Sequence, residues 1–189
     1  MKNYHIILAS NSPRRRELLA GLDLDFEVRV LPDIAESYPA DLPVNEIAQY
    51  IAAEKAAAYL PSISSDDLVI TADTIVVVGN EVLGKPKDET DARRMLNAIS
   101  GRTHQVITGV CLTTLECQRQ FSVSTDVTFK TLAEEEISYY ISKYKPYDKA
   151  GAYGIQEWIG YVGVTRLEGS YFNVMGLPVQ RIYSELQNF

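Results

Sequence analysis

An α/β fold with a mixed β-sheet and flanking helices is predicted by three features of this 189-residue sequence. Helix-like and strand-like segments alternate through the first hundred or so residues, as they do in parallel βαβ units. Two long strand-like runs, "THQVITGVCLTTLE" and "RQFSVSTDVTFKTL", then follow one another across a polar turn, which favours an antiparallel pair. The chain is 46% hydrophobic and has only two cysteines, Cys111 and Cys117, so its core is expected to form without disulfide staples. No repeat or linker-like tract divides it, and residues 1–189 are expected to form one domain.

The first strand is "YHIILA". A helix follows from Pro13 to Ala20, because proline suits the first helical turn and Gly21 the position after the last. "DFEVRVL" is the second strand and "VNEIAQYIAAEKAAAYL" a long second helix. The polar loop "PSISSDD" leads to the strand "LVITADTIVVV", from which "GNEVLG" returns as a hairpin. "DETDARRMLNAIS" is amphipathic and stops at Gly101. Beyond the two long strands, "EEEISYYISKY" is a helix, "KPYDKAGAYGIQEWIGYVG" is mostly loop, and "LPVQRIYSEL" is the closing helix.

The formal net charge of −7 argues against holding a nucleic-acid polymer by bulk charge, since such proteins present a basic face that releases counterions. No apolar run approaches the roughly 18 residues of a membrane span, and "MKNYHIILAS" is too short in its apolar part for a signal peptide. A cytoplasmic protein with no membrane partner is expected. The spacing in "CLTTLEC" fits neither a C-x-x-C redox pair nor a zinc framework, and His5 and His104 are the only histidines. Any metal would need oxygen ligands.

Against this acidic background, "LASNSPRRRELLAGL" sets three arginines at the front of a helix. At about 100° per residue, Leu18, Leu19 and Leu22 define the apolar face and Arg15 projects into its centre. Arg14 lies at the margin, and Arg16 turns toward solvent with Glu17. The strand end running through Ser10 into the helix also offers backbone N–H groups and a positive dipole end. The arginines are therefore aimed at phosphate, or else Arg15 lays its stem on the core and pairs with an acid. On the second helix Val44, Ile47, Ala48, Ile51 and Ala52 form one stripe, and Lys55 falls at the same angle. It is either a functional cation with a partner or a side chain that snorkels out near the helix end. Asp73 interrupts a β-branched run, where aspartate is depleted and expensive to bury. It is a ligand or general base among cations, or a strand-end residue capping a turn.

"GNEVLGKP" fits G-x-x-x-x-G-K but is not a P-loop. Pro86 offers no hydroxyl for magnesium and forces Lys85 into an extended conformation, and Glu81 would repel phosphate from within the cradle. Lys85 remains a further candidate cation in a loop after the hairpin.

Seven ordered segments spread from residue 8 to residue 178, "LASNSPRRRELL", "AEKA", "ADTIVV", "LGKP", "SGRTHQVITGV", "DKAGAYGIQ" and "GSYFNVMGLP", resemble the Maf family of nucleotide pyrophosphatases. The resemblance implies two lobes around a central cleft, a fold similar to inosine triphosphate pyrophosphatases, and often a homodimer. It implies hydrolysis of a nucleoside triphosphate to a monophosphate and pyrophosphate, including the removal of non-standard nucleotides. Asp73 would be the proton acceptor, with Ser10, Arg14, Arg15, Lys55 and Lys85 around the triphosphate. Glu36 of "DIAES" matches the family's acidic position after the second strand, while Ala35 stands where the family usually has a second acid. Glu36 and Asp73 would hold a divalent cation, Mg2+ or Mn2+, which suits hard oxygen ligands. Arg15, Thr74 and Gln156 resemble the members that act on dTTP and UTP. The alternative function is a nucleotide-responsive regulator of cell division and septum formation with little turnover.

Overall fold

The structure is a computed structural model that describes residues 4–32 and 34–189. In chain order its elements are β1 (His5–Leu8), α1 (Pro13–Ala20), β2 (Phe26–Val28), α2 (Val44–Tyr59), β3 (Asp67–Val78), β4 (Glu81–Leu83) and α3 (Glu89–Ile99). There follow β5 (Thr103–Thr113), β6 (Gln118–Phe129), α4 (Glu134–Tyr144), α5 (Trp158–Gly163), β7 (Val164–Glu168), α6 (Tyr171–Met175) and α7 (Val179–Gln187). Among the described residues the strands run in the order β2-β1-β3-β5-β6-β7, with β4 paired to β3. β1 is parallel to both β2 and β3, whereas β4 is antiparallel to β3 and β7 to β6. The sheet is therefore mixed, as the sequence predicts.

The chain divides into two compact units, one made of Met1–Asp73, Thr108–Val123 and Gly176–Phe189, the other of Thr74–Ile107 and Ser124–Met175. In the first unit α1 links β1 to β2 on one side, and α2 then carries the chain to β3 on the other side of β1. The direction of winding thus reverses at β1, and in open α/β sheets such a reversal leaves a crevice at the carboxyl ends of the strands. α2 lies unusually close to β5: a Cβ on Gly109 would stand 2.2 Å from the Gln49 nitrogen and 2.3 Å from the Ala48 carbonyl, so only glycine fits there. Ala48 and Ala52 are completely buried at this approach. Thr71 Oγ1 donates a 2.7 Å hydrogen bond to the Ala52 carbonyl, tying α2 to β3 as well.

The second unit packs α3, α4 and α5 around one core that includes Leu96, Ile99, Phe129, Tyr140 and Ile159. Asp88 caps α3, its side chain accepting the Asp91 N–H at 2.8 Å. The segment "KPYDKAGAYGIQEWIGYVG" is mostly loop and turn, as expected, but the expectation names neither the 3-10 turn at Ala150–Ala152 nor the helix α5 within it. The sequence also gave no sign of β7 or of the short α6. Two glycines lower the helical propensity of "WIGYVG", and β7 is a largely exposed edge strand without an alternating apolar face.

Candidate active site

The carboxyl end of β1 leads through Ser10, which is buried, into α1. Ser10 Oγ accepts the Ser12 N–H at 3.2 Å. Ser12 is the N-cap: its hydroxyl accepts the Arg15 N–H at 3.4 Å, and its carbonyl accepts the Arg16 N–H at 3.1 Å. The helix N-terminus is therefore less open to an anion than the sequence suggests, because the Ser10 and Ser12 hydroxyls take the Ser12 and Arg15 N–H groups and Pro13 has none. Positive charge there resides in side chains. Arg16 and Glu17 are exposed, Arg14 and Arg15 half-buried, and Leu18 and Leu19 buried, as the helical period predicts.

Arg15 donates from Nε to the Gly176 carbonyl at 2.8 Å and from Nη1 to the Ala72 carbonyl at 2.9 Å. It thereby ties α1 to the strand residue preceding Asp73. Burial pushes the guanidinium pKa down, the Asp73 charge raises it, the neighbouring Arg14 lowers it and Glu36 raises it. The guanidinium remains a cation, and these couplings place Arg14, Arg15, Glu36 and Asp73 within electrostatic reach of one another.

Asp73 lies within β3 and caps no turn. Its Oδ1 accepts a 2.8 Å charge-assisted hydrogen bond from Lys55 Nζ, and the same ammonium stands 2.7 Å from Glu36 Oε1. The side chains of Lys55 and Asp73 are only 12% and 13% exposed, that of Glu36 47%. The pairing follows from register. Thr71 and Asp73 are two residues apart and so share a face of β3. Ala52 and Lys55 are three apart and share a face of α2. Once Thr71 binds Ala52, Asp73 meets Lys55. Lys55 therefore does not snorkel, and its core-facing charge has the partners it requires.

Thr74, Lys85 and Gln156 are carried by the second unit. Thr74 is half-buried in β3, and Lys85 is exposed in the bend after β4. The Val78 to Glu81 pairing confirms the hairpin around Gly79 and Asn80, as opposed to a phosphate loop. Gln156 lies in the turn before α5, and its Oε1 is buried without a hydrogen-bond partner among the described residues.

Two carboxylates converging on one cation are hard oxygen donors of the kind that suit Mg2+ or Mn2+. Among the described residues, no group of three or more histidine, cysteine, aspartate or glutamate side chains is assembled to hold a metal. Glu36 and Asp73 supply two carboxylates, so a divalent cation held by them would need further oxygen ligands from outside this pair.

Sequence reasoning overlooked a buried network in the second unit: Tyr140, Lys149 and Glu157. Its signal was present in the spacing of Ile137, Tyr140 and Ile141, all buried on one face of α4. His104 was also passed over. It is buried against Phe129 and Tyr153, with Nε2 2.7 Å from the Tyr153 hydroxyl, and burial pushes its pKa down to about 4 despite the opposing Asp126 charge.

Residues 5–189 match the family described as Maf-like protein. The chain is 63% identical over 187 residues to a dTTP/UTP pyrophosphatase of Phocaeicola vulgatus, covering 99% of this chain and 97% of that one. It is 59% identical over 189 residues to a dTTP/UTP pyrophosphatase of Parabacteroides distasonis, with 100% and 98% covered. Among solved structures, the Staphylococcus aureus Ham1 protein superposes with a TM-score of 0.57 at 16% identity, over 97% of this chain and 98% of that one. That likeness concerns the fold. With a family match from residue 5 to the last residue, and with relatives of similar length sharing more than half their positions, the chain belongs to the Maf-like protein family.

Proposed function

We propose that the chain hydrolyses nucleoside triphosphates between the α- and β-phosphates, preferring dTTP and UTP and releasing a monophosphate and pyrophosphate. The observation that carries the chemistry is the single ammonium of Lys55 shared by Asp73 and Glu36. The substrate choice is carried by 63% identity to a relative named dTTP/UTP pyrophosphatase. Asp73 accepts the proton of the attacking water, with Lys55 fixing the orientation of its carboxylate. Arg14, Arg15, Lys55 and Lys85 neutralise charge on the phosphates and the leaving pyrophosphate, and Ser10 donates its hydroxyl to a phosphate oxygen. Glu36 and Asp73 would hold a divalent cation, which supplies further charge neutralisation at the phosphates.

Thr74 and Gln156 take part in base choice. The Gln156 amide offers one donor and one acceptor, which match the adjacent carbonyl and N–H of uracil or thymine. Its buried Oε1, lacking a partner among the described residues, supports this role. Cytosine presents an amine and an unprotonated ring nitrogen at the same edge and would leave groups mispaired, which a hydrogen-bonding site rejects strongly. The same reading includes a cytoplasmic homodimer, to be tested by sedimentation. No helix among the described residues is long and apolar enough to cross a membrane.

The test is pyrophosphate release compared as kcat/KM for UTP, dTTP, CTP, GTP and 7-methyl-GTP, with and without chelator. UTP and dTTP should lead, chelator should stop the reaction, and Mg2+ or Mn2+ should restore it. Absence of turnover with every nucleotide would overturn the hydrolytic reading. A preference for either guanine nucleotide would overturn the base assignment alone.

A further inference from the structure

We propose that Tyr140 is a positioning residue for base selectivity, because its phenol clamps both ends of the turn that presents Gln156. This inference rests on the reading that Gln156 meets the base.

Residues Gly154 to Glu157 form a β-turn closed by a 3.0 Å hydrogen bond from the Glu157 N–H to the Gly154 carbonyl, and Gln156 is its third residue. The Tyr140 oxygen accepts the Gly154 N–H at 3.0 Å, holding the first residue of the turn. The same hydroxyl donates its proton to Glu157 Oε2, holding the last. One atom on α4 therefore fixes both ends of a four-residue turn. Tyr140 cannot easily yield, since it is completely buried and stacks on Tyr144 with ring centroids 5.1 Å apart. Burial and the adjacent carboxylate push the phenol pKa upward, so the hydroxyl keeps the proton it donates.

The far side of Glu157 is held as well. Lys149 Nζ lies 3.2 Å from Glu157 Oε1 and 2.8 Å from Asp148 Oδ1, and Lys149 is itself buried. Both side chains at the end of the turn lean on the glycine at its start. A Cβ on Gly154 would stand 3.0 Å from the Glu157 carboxyl carbon and 3.2 Å from Gln156 Nε2. Releasing the Gly154 N–H or the Glu157 carboxylate thus loosens the surface against which the Gln156 amide packs. An amide that swings loses the ability to tell uracil from cytosine, because the distinction depends on which of its two ends faces which atom of the base.

The experiment compares wild type with Tyr140→Phe, Glu157→Gln and Gln156→Ala, measuring kcat and KM separately for UTP, dTTP and CTP. Tyr140→Phe keeps the ring and removes only the clamp. It should raise KM for UTP and dTTP about tenfold, shrink the UTP over CTP preference by a similar factor, and leave kcat for UTP within about threefold of wild type. Glu157→Gln keeps an acceptor for the phenol but loses the Lys149 ion pair, so its effect should be smaller and in the same direction. It carries the test alone if Tyr140→Phe does not fold. A purely structural role for the hydroxyl would lower kcat/KM for all three nucleotides in the same proportion, and that result would overturn the proposal. Gln156→Ala separates the two layers of the argument. If it leaves the UTP over CTP preference intact, the base reading itself fails. If it abolishes the preference while Tyr140→Phe and Glu157→Gln retain it, the base reading stands and the clamp is refuted.

Discussion

Replacing Lys55 by Met keeps the length and apolar stem of the side chain and removes the ammonium that Asp73 and Glu36 share. The two partners then differ in what solvent can do for them. Glu36 is 47% exposed and can rehydrate, whereas Asp73, at 13%, loses its partner in a place water barely reaches. Breaking a buried pair costs about 3–5 kcal/mol when the orphaned charge has no other compensation. Here Arg15 still acts on Asp73 electrostatically, which lowers the expected cost to about 2–3 kcal/mol. For a chain of 189 residues, that corresponds to a fall in melting temperature of roughly 5–10 °C. Mutual repulsion adds to the effect: two carboxylate oxygens about 5 Å apart repel by about 3 kcal/mol at an effective dielectric of about 20, before screening at the exposed Glu36. Millimolar Mn2+ should therefore return at least half of the loss in the variant by standing in for the ammonium, and should shift the wild type much less. Thermal melts followed by circular dichroism, in chelator and in Mn2+, read this without any turnover. A variant melting within about 1 °C of wild type in chelator, or equal Mn2+ shifts in both proteins, would refute the reasoning.

Asp73→Asn keeps the shape and an acceptor for Lys55 but cannot take a proton from water, so turnover should fall about 10²–10⁴-fold while nucleotide binding persists in equilibrium dialysis. Arg15→Ala removes the bonds to Ala72 and Gly176 and should impair turnover strongly, whereas Arg16→Ala, at an exposed position, should change it only mildly; steady-state kinetics that rank Arg16 as the more damaging would refute the helical-face argument. His104 makes stability depend on pH: its folded pKa of about 4 lies below the unfolded 6.5, so the unfolded state binds the proton first and stability is lost as pH falls from about 6.5 toward 4. Urea titrations should show wild type losing about 2 kcal/mol more than His104→Gln between pH 7 and pH 5. Gly109→Ala forces a methyl against the Ala48 and Gln49 backbone, and the resulting shift of α2 should lower both the urea midpoint and the turnover that depends on Lys55.

Periodicity identified the elements that contact the core on a regular stripe. The bounds of α1 and α4 agree with the sequence expectation to the residue, and α2 ends one residue short of it. It missed β7 because an edge strand with exposed Arg166 and Glu168 has no buried face to reveal it. The same logic divides the site. Lys55 and Asp73 were legible because each violates the pattern of its own element, a charge on an apolar stripe or within a β-branched run. That they are partners depends on the register of α2 against β3, which the Thr71 to Ala52 bond fixes and no local pattern encodes. Arg15 was legible as an inward arginine, but its carbonyl partners at Ala72 and Gly176 lie 57 and 161 residues away. The stripe of α4 places the Tyr140 ring in the core, but no local pattern encodes the Gly154 and Glu157 partners of its hydroxyl.

The arginines at the front of α1 also account for how a chain of net charge −7 could receive a substrate that is itself strongly negative. Charge relevant to binding is counted locally, because beyond a Debye length of about 8 Å at physiological salt the remaining surface is largely screened. Within reach of Arg15 the sequence sets Arg14, Arg15 and Lys55 against Asp73 and Glu36, which leaves one net positive charge. A triphosphate carries several negative charges, so this cluster alone cannot neutralise it. Two acids among three cations would be a poor anion site, unless the acids have work of their own. On the proposed reading, Asp73 receives a proton and both carboxylates share a divalent cation that brings the missing positive charge. The carboxylates that weaken the site for bare phosphate thereby favour a metal–nucleotide complex over the free nucleotide, and raising free Mg2+ or Mn2+ to match the nucleotide should increase the apparent affinity for UTP.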